Sequence, residues 1–230
     1  MLSIVIPTFN EAQNIGLLIP KIHDVLNNHF KHEIIVVDDN SPDGTAKVAR
    51  GLSKKHNVRV LLRKKKRGLS SAVIDGFKIA KGNSICVMDA DLSHPPDVLQ
   101  SMIKELDKAE LVVGSRLVDG GGSERWPFYR KLISLAAQLL ARPLTPVKDT
   151  MSGFFAFKRK VIKDVKLSAY GYKILLEVLV IGKYEKVSEV PFTFLNRSFG
   201  KSKIGIAVEI EYLKQLVHLY KHKFFQRFNK

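Results

Sequence analysis

The sequence predicts an α/β protein. Its centre is a Rossmann-like, mostly parallel sheet with helices on both faces, followed by a C-terminal amphipathic helix. Three observations predict it. Short β-branched runs with little polar alternation recur through the first half, as strands buried on both faces require. Helical-period segments separate them. Carboxylates collect just after the runs, where ligands bind in such sheets, although the whole chain carries a formal charge of +16.

The elements follow in order. Leu2–Ile6, Glu33–Val37, Val58–Leu62, Ile85–Met88 and Leu111–Val113 read as strands. Glu11–Leu26, Thr45–His56, Ser70–Ala80 and Pro96–Leu106 carry apolar residues at helical spacing. Gly120-Gly121-Gly122 reads as a flexible joint. Beyond it the pattern gives a helix over Trp126–Arg142, a strand over Ser152–Phe157, a helix over Ile174–Ile181 and a strand over Val187–Phe194. A long helix over Ile204–Phe228 closes the chain. Its stripe of Ile206, Ile210, Leu213, Leu216, Val217, Tyr220, Phe224 and Phe228 is flanked by Lys214, Lys221, Lys223, Arg227 and Lys230. We therefore expect an α/β domain over 1–204, with halves 1–115 and 116–204, and a basic helix over 205–230.

Composition narrows the function. Among 230 residues, 45% are hydrophobic and 26% charged, enough for a full core and too ordered for a disordered tail. The single cysteine, Cys86, lies in an apolar strand and suits a reducing compartment. No signal peptide is expected, since Pro7 breaks the N-terminal apolar run. No membrane span is expected either, because the longest charge-free apolar run, Leu132–Ala141, is about half of the roughly 20 residues needed. The basic charge points to a polyanionic partner: nucleic acid, an anionic membrane surface or a phosphorylated substrate.

The strand ends carry the chemistry. Asp89-Ala90-Asp91 follows the fourth strand. Two carboxylates held close repel, and a divalent cation relieves the repulsion; an acidic loop capping the next helix is the alternative. Asp38-Asp39-Asn40-Ser41-Pro42-Asp43-Gly44-Thr45 follows the second strand and offers acceptors to a ribose or base edge, with Asp43 also suited to capping a helix. Pro7-Thr8-Phe9-Asn10-Glu11 follows the first, where Glu11 suits a helix start or a ribose. The run Arg63–Arg67 reads as a solvated face, although its place directly before Gly68-Leu69-Ser70 lets part of it face phosphate. His218 and His222 read as a solvated or membrane-facing pair.

Taken together, these stations resemble the family 2 glycosyltransferases of GT-A fold, and among them most the dolichol-phosphate mannose synthases. The resemblance runs on through Lys66–Ala72, Gly114-Ser115-Arg116, Trp126–Ser134, Ser152-Gly153-Phe154 and Arg197–Lys203. It implies an inverting mannosyl transfer from GDP-mannose to dolichyl (polyprenyl) phosphate, giving dolichyl β-D-mannosyl phosphate and GDP, with Mg²⁺ or Mn²⁺. Pro7, Phe9, Glu11, Val37 and Asp39 would hold the nucleoside. Asp89, Ala90 and Asp91 would meet the diphosphate. The metal ligands would be Asp89, Asp91 and Ser93, with Asp91 chief. Arg116, Arg197 and Lys203 would bind phosphates at the reaction centre, and Arg116, Arg130 and Ser134 the lipid phosphate. Asp91, Arg116, Arg130 and Arg197 would be the catalytic set.

An acceptor phosphate is already an anion, so the reaction needs positioning and cations rather than a base. It would take place at the cytoplasmic face of a membrane, with a possible membrane-anchoring partner protein. Three rivals remain at this point. One is the same fold with UDP-glucose or UDP-GlcNAc. Another is a hydroxyl-acceptor enzyme with Glu177 or Asp149 as base. The third, a nucleic-acid-binding module, is disfavoured because acidic strand ends repel a phosphate backbone.

Overall fold

The computed structural model describes residues 1–26, 29–65, 68–124, 128–168, 172–196 and 206–228, without the side chains of 128–131, 206–209 and 226–228. The chain runs β1 (Leu2–Thr8), α1 (Ala12–Leu26), β2 (His32–Asp38), α2 (Thr45–Leu52), β3 (Val58–Leu62), α3 (Leu69–Ile79), β4 (Ser84–Val87) and α4 (Val98–Glu105). It continues with β5 (Leu111–Ser115), β6 (Gly122–Ser123), α5 (Phe128–Ala141), β7 (Phe155–Lys158), a short 3-10 turn (Arg159–Ile162), α6 (Ile174–Ile181), β8 (Val187–Pro191), β9 (Thr193–Phe194) and α7 (Ile206–Phe228).

Seven strands form the central sheet in the order β3-β2-β1-β4-β7-β5-β8. All neighbours are parallel except those of β7, which runs against both β4 and β5. The connections leave β1 toward β2 and β3 on one side, then return to β4 on the other. The reversal opens a crevice between the carboxyl ends of β1 and β4. Because β7 is antiparallel, its start, with the preceding Ser152-Gly153-Phe154, lies at that same pole.

Alternating strand residues feed two cores, as a pleated strand requires. Ile4, Ile6, Ile34, Val36 and Cys86 pack under α1, α2 and α4. Val5, Ile35, Val37, Ile85 and Val87 pack under α3 and α6. The approach of α3 is close: a Cβ on Gly76 would stand 2.4 Å from Val5 Cγ1. A third, smaller core joins α5, α6 and α7 through Ala137, Ala141, Leu176, Tyr212, Leu216 and Leu219. The Tyr212 hydroxyl donates to Ala137 O at 2.6 Å, and that of Tyr220 to Leu140 O at 2.7 Å.

Three expectations need correction. The glycine triplet is not a loose joint. Gly121 N bonds Val118 O and Gly122 N bonds Phe192 O, and β6 pairs with β9 in a small second sheet. The expected strand over Val187–Phe194 is therefore two strands in two sheets, broken at Phe192, whose ring turns into the first core. The apolar stripe of α7 is not its buried face: of its described members only Leu216 is buried, joined by Tyr212 and Leu219 from outside the stripe, while Ile210, Leu213, Val217, Tyr220 and Phe224 face outward.

At the pole opposite the crevice, three imidazoles cluster, tilted and edge to face rather than stacked. His23 lies 4.6 Å from His56 and 5.6 Å from His32, centroid to centroid. The Nδ1 atoms of His23 and His56 are buried without partners. Burial, then the neighbouring His23, lowers the pKa of His56; Asp24 opposes this, and Lys55 and His32 add to it. The folded state thus binds a proton less readily than the unfolded chain. Stability is full above the ordinary histidine value near 6.5 and falls as pH drops through the interval between that value and the lowered one. The urea midpoint should decline from pH 8 to pH 5.5, and less steeply in His56→Phe.

Candidate active site

The crevice is rimmed by three loops, and each is built by its own hydrogen bonds. Asp38 is fully buried. Its Oδ1 accepts from Thr8 Oγ1 at 3.0 Å and Ser41 Oγ at 2.5 Å, and its Oδ2 from Ser41 N at 3.0 Å. Ser41 Oγ in turn accepts from Asn10 N at 2.9 Å. Asp43 caps two helices at once: its Oδ1 takes Thr45 N and Oγ1, and its Oδ2 takes Ala12 N. Burial works against that carboxylate, but the Thr45 and Ala12 hydrogen bonds hold its pKa below the usual value. The loop after β2 therefore fixes the backbone of the loop after β1.

The third loop is the Asp89–His94 turn. Asp91 is 3% exposed, and its Oδ1 accepts from Ser93 N at 3.1 Å and Ser93 Oγ at 2.5 Å. Asp89 is more open, with 34% of its side chain exposed. All three loops contain a non-glycine residue with positive φ: Asn10 at 61°, Asn40 at 57° and Leu92 at 63°. Asparagine tolerates this region, whereas Leu92 pays about 1–2 kcal/mol. Strain of this kind persists where the surroundings over-determine a loop.

Opposite the turn stands a buried ion pair. Arg116 follows β5 and grips Asp149 with Nε at 2.8 Å and Nη2 at 2.7 Å, while its backbone N–H adds a third bond at 2.9 Å. Asp149 is fully buried, and its backbone N–H donates to Glu189 Oε1. Burial alone would raise the Asp149 pKa. The hydrogen bonds and charge of Arg116, helped by Lys173, hold it below the ordinary value instead. The Arg116 guanidinium also lies 5.7 Å over the Phe194 ring.

The expected residues fare differently. Pro7, Phe9, Glu11, Asp39, Asp89, Asp91 and Ser93 come together at the strand-end pole. Val37 and Ala90 are at the same pole, with their side chains buried in the two cores. Ser134 lies on α5 and accepts from Gln138 Nε2. Arg197 and Lys203, and the side chain of Arg130, lie outside the described residues.

Asp149, a possible base in the sequence, is the carboxylate partner of Arg116. Glu177 is fully buried on α6, where it accepts from Ser168 N and from Ser168 Oγ at 2.6 Å. Burial raises its pKa, while the two Ser168 hydrogen bonds and then the charge of His218 on α7 pull the other way. None of these partners belongs to the three loops.

Arg63 is the main residue missed. It is 5% exposed, not on a solvated face. Its guanidinium bonds Asp39, Asp75, Ser71 Oγ and Gly68 O, and so anchors Asp39 beside the crevice. The only sequence signal was its place directly after β3. His94 was also passed over. It is 1% exposed, and its Nδ1 accepts from Asp89 N at 3.0 Å.

The oxygen-only donor set suits a hard divalent cation. Asp89 and Asp91 share one turn, and Gly153 leaves room beside them: a Cβ there would stand 2.9 Å from Asp89 Oδ2. Among the described residues no set of three or more His, Cys, Asp or Glu side chains is placed to hold a metal ion. Phosphate oxygens of a substrate would complete such a coordination shell, as is usual for Mg²⁺.

A switch-point crevice with an Asp-Ala-Asp turn and an antiparallel strand inserted beside it is the architecture of GT-A glycosyltransferases. Two solved structures share the fold. Glucosyl-3-phosphoglycerate synthase from Mycobacterium tuberculosis, in complex with Mn²⁺, UDP and glucosyl-3-phosphoglycerate, matches at TM-score 0.67 and 19% identity over 97% of this chain and 79% of that one. A mannosyltransferase from Pyrobaculum calidifontis, in complex with GDP-Man and Mn²⁺, matches at TM-score 0.65 and 20% identity over 97% of this chain and 64% of that one. The family model "Glycosyl transferase family 2" matches residues 3–166, and the chain belongs to that family. Two curated relatives are named dolichol-phosphate mannosyltransferase. That of Pyrococcus furiosus is 47% identical over 95% of this chain, and this chain spans 63% of its length. That of Saccharomyces cerevisiae is 39% identical over 96% of this chain and 88% of its own.

Asp149→Asn keeps the shape but removes the charge facing a buried guanidinium. It should cost about 3–5 kcal/mol, the usual penalty for breaking a buried pair, read as a lowered urea midpoint.

Proposed function

We propose that the protein transfers mannose from GDP-mannose to dolichyl (polyprenyl) phosphate with inversion, releasing GDP. The observation that carries this reading is the Asp89–Asp91 turn at the switch point of a GT-A sheet, in a chain similar over nearly its whole length to two dolichol-phosphate mannosyltransferases. The nucleoside would lie across the first two loops, against Phe9 and Glu11, with Asp39 held in place by Arg63. The diphosphate would meet the Asp89–Asp91 turn. A bound Mg²⁺ or Mn²⁺ would supply charge neutralisation for the departing diphosphate. Arg116, Arg130, Arg197 and Lys203 would draw the acceptor phosphate toward the anomeric carbon and hold it in line. This arrangement is electrostatic positioning of two anions.

No proton need leave the acceptor, and the carboxylates agree with that. Asp149 is bound to Arg116, and Glu177 is enclosed with Ser168. The test uses radiolabelled GDP-mannose, dolichyl phosphate and Mn²⁺ or Mg²⁺, with label counted in the organic phase and UDP-sugars run in parallel. Transfer should vanish with EDTA and fall at least about a hundredfold in Asp91→Ala, as loss of a main electrostatic group does. Glu177→Gln should retain turnover; its loss would favour a hydroxyl acceptor.

The acceptor resides in a membrane, and the outer surface of α5 and α7 suits one. Leu132, Leu135 and Leu139 on α5 and Leu213, Val217 and Phe224 on α7 are each at least 50% exposed. Lys214 and Lys221 lie beside them, an interfacial pattern that favours anionic headgroups. Among the described residues no helix is long and apolar enough to cross a membrane. The protein would sit peripherally at the cytoplasmic face. Vesicles with anionic lipid should bind the protein, less so at high salt. Leu213→Glu with Val217→Glu should weaken binding at least about tenfold, since each buried aliphatic side chain contributes about 1.5–3 kcal/mol.

A further inference from the structure

We propose that His94 is a positioning residue for the cation site, setting the geometry of Asp89 without ligating; this rests on the metal-dependent reading above. The Asp89–His94 segment closes on itself. Asp89 N donates to His94 Nδ1 at 3.0 Å. A ring nitrogen that accepts carries no proton, so the neutral imidazole bears its proton on Nε2. That Nε2 lies 3.9 Å from Asp89 Oδ2. The ring therefore holds the residue by its backbone: Nδ1 accepts the Asp89 N–H, while Nε2 stands beside the carboxylate beyond hydrogen-bond reach.

The ring cannot readily turn away. It is 1% exposed. It stacks on Phe154 at 5.0 Å with 13° between planes, and meets Phe192 and Phe194 edge to face at 5.5 and 5.7 Å. Leu195 N donates to Ser93 O at 3.0 Å, which ties the same turn to the segment after β9. Phe194 also lies under the Arg116 guanidinium. The cage therefore joins the turn that would meet the diphosphate to the cation opposite it. Partners behind a ligand commonly tune affinity by 10- to 100-fold.

The test separates the hydrogen bond from the packing. His94→Phe keeps a ring on Phe154 but leaves Asp89 N without its acceptor. His94→Asn loses the ring but offers a side-chain oxygen in place of Nδ1. Mn²⁺ affinity is measured by the electron paramagnetic resonance of free Mn²⁺, with GDP present. H94F should weaken Mn²⁺ binding about 10- to 100-fold, while H94N stays close to the unaltered protein. The Mn²⁺ concentration for half-maximal transfer should rise in H94F, with the rate largely recovered at saturating metal.

Unchanged Mn²⁺ affinity in H94F, or an equal loss in both variants, would overturn the proposal. No Mn²⁺ binding by the unaltered protein would overturn the metal-dependent reading as well. Where H94F does not fold, ¹⁵N NMR of the unaltered protein decides. A ring protonated on Nε2, with an Nδ1 signal that moves when Mg²⁺ and GDP are added, supports the proposal. A ring protonated on Nδ1, or one that is indifferent to both, rejects it.

Discussion

Carboxylates must be gathered at one pole of a protein that is otherwise strongly cationic, and the fold answers by giving most of them a fixed partner. Asp38 is satisfied by Thr8 and Ser41, Asp39 by Arg63, Asp43 by two helix starts, and Asp149 by Arg116. Such groups then act as braces between loops rather than as repelling charges. Asp89 differs, since its side chain is 34% exposed at the crevice. Under the proposed function that more open carboxylate would face a cation and a diphosphate.

The braces also explain why the loops can be both irregular and rigid. A backbone leaving a buried strand loses its ladder partners, and those groups must find others. Here Asn10 N, Glu11 N and Ala12 N find Ser41, Thr45 and Asp43 from the neighbouring loop. The left-handed residues Asn10, Asn40 and Leu92 sit within this mesh. A site organised before its ligand arrives has less ordering left to do on binding.

Much of this was legible in the sequence, because the parallel strands are continuous apolar runs and their carboxyl ends are marked by acids. Asp43 even read correctly as a cap. What escaped notice depends on contacts between distant segments. Arg63 belongs to a basic run whose composition says solvent, yet its three-dimensional neighbours are Asp39 and Asp75. The glycine triplet reads as a hinge because nothing local reveals that Phe192 and Thr193 will pair with it. His94 stands in the Asp89–Pro95 stretch that carries the family resemblance, but nothing local gives it a role until β7 and the β8–β9 segment bring Phe154, Phe192 and Phe194 around it.

The same logic separates a cation that would meet phosphate under the proposed function from one that holds the fold. Arg63 and Arg116 are both nearly buried, and each is matched to a carboxylate through two of its nitrogens. A guanidinium has five N–H donors in a rigid fork. Engaging some of them with a carboxylate therefore fixes the plane and direction of those remaining. Arg63 is surrounded on several sides, by Asp39, Asp75, Ser71 and Gly68, and its role ends in the scaffold. Arg116 is held by Asp149 on one edge and rests over Phe194, at the crevice side of β5. An arginine so oriented can meet an anion without first losing the entropy of a free side chain, which is how a buried pair serves binding rather than stability alone.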